Sequence, residues 1–68
     1  MMFKITVETI TDELSIYTLL AMMETNYWVV IAVKASECKK TAIDYLKTKA
    51  NEKVGNNIVE RFTLWYLR

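Results

Sequence analysis

The chain has 68 residues, of which nine are basic and eight acidic, for a net charge of +1. That length sets one domain, 1–68, with a small core, and the near balance of charge argues against a nucleic-acid binder driven by counterion release and against an acidic mimic of nucleic acid. With no histidine, one cysteine and one glycine, no disulfide, no metal site, no cofactor and no glycine-rich phosphate loop is expected.

Phe3-Lys4-Ile5-Thr6-Val7-Glu8 alternates strictly between apolar and polar residues. This pattern predicts a half-buried strand with Phe3, Ile5 and Val7 inward and Lys4, Thr6 and Glu8 outward. It lacks the basic head and apolar run of a secretory signal.

Thr11-Asp12-Glu13 interrupts the alternation. Thr11 suits a helix N-cap, and Asp12 and Glu13 suit the positive end of a helix dipole. Leu14 to Glu24 is rich in Leu, Ala and Met, which are good helix formers, and Asn26 suits the closing position. A helix is therefore the preferred reading of residues 14–24. The alternative is a strand, because Leu14, Ile16, Thr18, Leu20 and Met22 also alternate with their neighbours, with Glu24-Thr25-Asn26 as a hairpin loop. Glu24 and its neighbours also divide the apolar stretch from Leu14 to Val33, so no membrane span is expected.

Tyr27-Trp28-Val29-Val30-Ile31-Ala32-Val33 is apolar at every position and rich in β-branched and aromatic residues. It predicts a central strand covered on both faces. Ser36 is the expected N-cap of a helix from Glu37 to Lys53, whose apolar stripe is Cys38, Ala42, Tyr45, Leu46 and Ala50 with Ile43 beside it. Gly55 suits the position past the helix end, Asn56-Asn57 a turn, and Ile58 to Leu67 a last strand.

Together these elements predict an α+β domain. It is a small two-layer sandwich with a three- or four-stranded sheet packed against one or two helices. β-α-β-α-β is the preferred order and β-β-β-α-β the alternative.

Within Tyr27–Lys34, Lys34 should avoid the core, which takes Trp28, Val30 and Ala32 outward and leaves Tyr27, Val29, Ile31 and Val33 inward. Arg61 takes Val59, Trp65 and Leu67 outward in the same way. Trp28, Val30, Arg61, Trp65 and Leu67 are thus the candidate protein-interaction residues, being aromatic, apolar and arginine side chains on an uncovered face. A helix on each face of the sheet would instead make both tryptophans core.

No catalytic constellation is apparent. Cys38 has no histidine to activate it, lies on the apolar stripe and is expected to be a buried, inert thiol. Asp12 and Glu13 read as helix-start charges. The expected function is a non-enzymatic protein-interaction module that binds another protein and self-associates as a homo-oligomer, in a reducing, cytoplasmic compartment. A composition rich in Lys, Ile, Asn and Tyr fits an AT-rich genome, and by association alone an inhibitor or adaptor of a host complex encoded by a phage. The alternative is a small nucleic-acid-binding domain that uses Lys39, Lys40, Lys47, Lys49 and Lys53 of helix 37–53, with Arg61, Trp65 and Tyr66 to stack on bases.

Overall fold

The computed structural model describes residues 2–23 and 26–53 with their side chains and residues 63–66 as backbone. The alternating segment forms β1 (Phe3–Thr9). It pairs antiparallel with β2 (Ser15–Met23), Phe3 opposite Ala21 and Thr9 opposite Ser15.

Residues 14–24 are therefore not the preferred helix. As a helix the segment would have carried apolar side chains nearly all round. As a strand it sorts them by period two: Tyr17, Leu19 and Ala21 are buried, and Ile16, Thr18, Leu20 and Met22 take the other face. Thr11 does what an N-cap does, but in a loop. Its Oγ1 accepts hydrogen bonds from the amides of Glu13 at 3.2 Å and Leu14 at 3.0 Å. The amides of Ile10 and Thr11 both donate to the Leu14 carbonyl, at 2.9 and 3.1 Å, which closes a β-hairpin in place of starting a helix.

β3 (Tyr27–Ser36) follows, and the Asn26 amide before it donates to the Met23 carbonyl at 3.2 Å. β1, β2 and β3 make a three-stranded antiparallel meander. The strand order is β3-β2-β1-β4, where β4 (Thr63–Tyr66) runs parallel to β1. β3 is consequently an edge strand, which corrects the expectation of a central one. Its unbroken apolar run is not covered on both faces: Tyr27 and Val30 are 49% and 56% exposed.

The faces of β3 also depart from simple alternation. Leu20 pairs with Val30, but Leu19 pairs with Ala32, so Ile31 is an extra residue in a β-bulge. Ile31 and Ala32 both pack against the core, and the parity of every later residue flips. Val33 lies on the open side, 54% exposed, and not inward. Ala32 and Lys34 lie on the helix side and not outward. Lys34 keeps its charge at the rim, with Nζ 5.2 Å from the centroid of the Tyr45 ring.

The helix α1 spans Lys39–Lys53. Ser36 is not its N-cap, because Ser36 still pairs with Ser15 in the sheet. The Ser36 hydroxyl accepts from the Cys38 amide at 3.0 Å, and the Cys38 carbonyl accepts the first helical hydrogen bond, from Ala42. The cap position is therefore Cys38. Ala42, Leu46 and Ala50 are buried and Ile43 is partly so, while Tyr45 is exposed. Two small alanines on the buried stripe let the helix backbone approach the sheet closely.

One core results: Phe3, Ile5 and Val7 from β1, Tyr17, Leu19 and Ala21 from β2, and Ala42, Leu46 and Ala50 from α1. Ile5, Leu19 and Leu46 are its largest fully buried side chains, each contributing roughly 1.5–3 kcal/mol by burial. The domain is α+β, a three-stranded antiparallel sheet with one helix. No helix among the described residues is long and apolar enough to cross a membrane. Gly55, Asn56-Asn57 and the remainder of the expected last strand lie outside the described residues.

Candidate protein-interaction face

The strand register builds the face opposite α1 row by row. Lys4, Leu20 and Val30 share one row, Thr6, Thr18 and Val33 the next, and Glu8, Ile16 and Ala35 the third. Met22 and Trp28 pair beyond the first row. Period-two side chains make these residues neighbours on one surface. Among the described residues no element lies on that surface, so Ile16, Leu20, Met22 and Trp28 are only half-buried, and Val30, Val33 and Ala35 are exposed.

Lys4 Nζ stands 4.3 Å from the centroid of the Trp28 ring. β2 lies between their strands, so the lysine side chain crosses β2 to reach the indole. This cation–π contact, worth about 0.5–1 kcal/mol at an exposed site, holds the ring down on the face. The result is an apolar surface with a cation at one end, Glu8 at the other and two threonine hydroxyls between.

Trp28 and Val30 lie on the open face of the described residues, but not for the reason the sequence offered, since Lys34, expected beside them, lies on the helix side past the bulge. Trp65 is opposite Thr6 in the β1–β4 register, and its side chain lies outside the described residues, as do Arg61, Val59 and Leu67. Sequence reasoning missed Val33 and Ala35, because nothing in an unbroken apolar run marks where a bulge falls. It missed Ile16, Leu20 and Met22 because residues 14–24 were read as a helix, although their alternation was visible.

Cys38 is exposed, not buried. It sits at the helix start, ahead of the stripe that packs. The side-chain and backbone hydrogen bonds of Thr41, with weaker help from Lys40, hold its thiol below the ordinary value of 9.0. The rate of alkylation by iodoacetamide should therefore rise with pH to a midpoint that Thr41→Val moves up. A midpoint unchanged in Thr41→Val would refute this. Thiolate character alone is not catalysis, which also needs an activating base.

The basic helix face is compensated in part. Lys40 Nζ lies 2.9 Å from Asp44 Oδ2 and Lys49 Nζ 3.7 Å from Glu52 Oε1. The Lys40 ammonium holds the Asp44 carboxyl below its usual range. Such pairing leaves less charge for phosphates than the lysine count suggests. Among the described residues no group of three or more Cys, Asp or Glu could hold a metal ion.

The chain matches no family model, and neither the curated proteins nor the solved structures give a significant match.

Proposed function

We propose that the protein is a non-enzymatic interaction module that binds a protein through the open sheet face. The observation that carries this reading is the apolar surface of Leu20, Met22, Trp28, Val30 and Val33, which has α1 behind it and no described element in front. Contiguous apolar surface on a small domain marks a docking site, and tryptophan is enriched at the centre of such sites. The β-β-β-α-β order of the described elements supports a two-layer domain with one layer left open.

Trp28→Ser tests the reading. The half-buried indole contributes little to the core, so the unfolding free energy should fall by less than about 1.5 kcal/mol. Association, measured by light scattering across a dilution series, should be lost. A fall of about 3–5 kcal/mol, the cost of truncating a core aromatic, with association unchanged would overturn it.

A further inference from the structure

Resting on that reading, we infer that the occupant of the open face is a second copy of this chain, stacked face to face with its strands reversed. Consider a two-fold axis in the plane of the face, across the strands, through the row of Thr6, Thr18 and Val33. The operation exchanges the row of Lys4, Leu20 and Val30 with the row of Glu8, Ile16 and Ala35. The Lys4 position then lies over the Glu8 position of the second copy, so pairing draws the ammonium from Trp28 to the carboxylate, and the symmetry makes the pair twice.

One further feature fits this operation. The net charge of +1 sets up little repulsion between copies.

The other two-fold in this plane, along the strands, fails on the same residues. It lays Lys4 over Val30 of the second copy. β2 has nine residues, so at about 3.4 Å per residue and about 4.8 Å per strand the three antiparallel strands present roughly 440 Å² of flat face. Side-chain relief raises this toward the roughly 600–800 Å² per partner at which stable interfaces begin.

The experiment is a charge reversal across the axis, read as the dimer dissociation constant of the full chain by sedimentation equilibrium at low salt. Lys4→Glu alone and Glu8→Lys alone should each weaken the dimer about tenfold or more, because each sets like charges together twice. The double variant K4E/E8K should return to within about threefold of the unaltered protein. It also lacks the cation over Trp28, so its recovery isolates the pairing between copies. Val30→Asp should abolish the dimer with an unchanged urea midpoint.

A double variant no tighter than the singles overturns the reversed stacking. A strict monomer up to roughly 1 mM overturns the second copy as occupant but not the open face as a docking site. A dimer that survives Val30→Asp in a folded chain overturns the docking face itself.

Discussion

Leu19→Ala is expected to lower the unfolding free energy by about 2–5 kcal/mol, while Leu20→Ala, one residue further on, lowers it by less than about 1.5 kcal/mol. The asymmetry comes from the pleat. Leu19 points into the core with Ile5 and Leu46 and has no exposed surface, whereas Leu20 lies on the open face between Lys4 and Val30. Deleting the Leu19 side chain leaves a cavity among atoms that cannot all close in. Deleting Leu20 leaves a dent that water fills. In a helix the two would lie about 100° apart and share much of one environment, so two equal losses in urea denaturation would refute the strand.

Deletion of Thr18 should cost enough to leave little cooperative unfolding, whereas deletion of Ile31 should leave the fold intact. Thr18 sits in β2, which is paired on both sides without a bulge toward β1. Removing it brings Tyr17 and Leu19 into adjacent positions, and adjacent strand residues face opposite ways, so one of the two must leave the core. A chain of 68 residues has only about 3–10 kcal/mol of stability to lose. Removing Ile31 instead takes out the one residue of β3 that has no opposite number. Ala32 already pairs with Leu19, and each later pair stays in register. The cost is the packing of one partly buried side chain, about 1–2 kcal/mol. Far-UV circular dichroism and urea titration of the two deletions decide the matter. An unfolded Ile31 deletion would mean that the bulge sets the geometry of the sheet.

The first strand and the helix body were legible in the order of residues alone, whereas Trp28 and Val30 face outward although the parity with Lys34 that placed them there is broken by the bulge. The strand and the helix each rest on a local periodicity: two for Phe3–Glu8, and three to four for Ala42, Leu46 and Ala50. The segment 15–23 was harder because it satisfies both periods. Leu, Ala and Met favour a helix by a few tenths of a kcal/mol each. That preference loses to burial of Tyr17, Leu19 and Ala21 between β1 and β3, which is available only once both neighbours are present. Thr11 misleads for a related reason: its hydroxyl serves free amides equally well at a helix start and in a hairpin loop.

Composition, alternation and capping residues were enough to determine a small α+β domain, its helix and the outward side of β1, because these depend on contacts within a few residues. The edge position of β3, the bulge at Ile31 and the exposure of Cys38 were decided only when the strands met. Register is a property of pairs. Leu19 against Ala32, and not against Ile31, turns Val33 outward and Lys34 toward Tyr45, and no residue of β3 carries that information by itself.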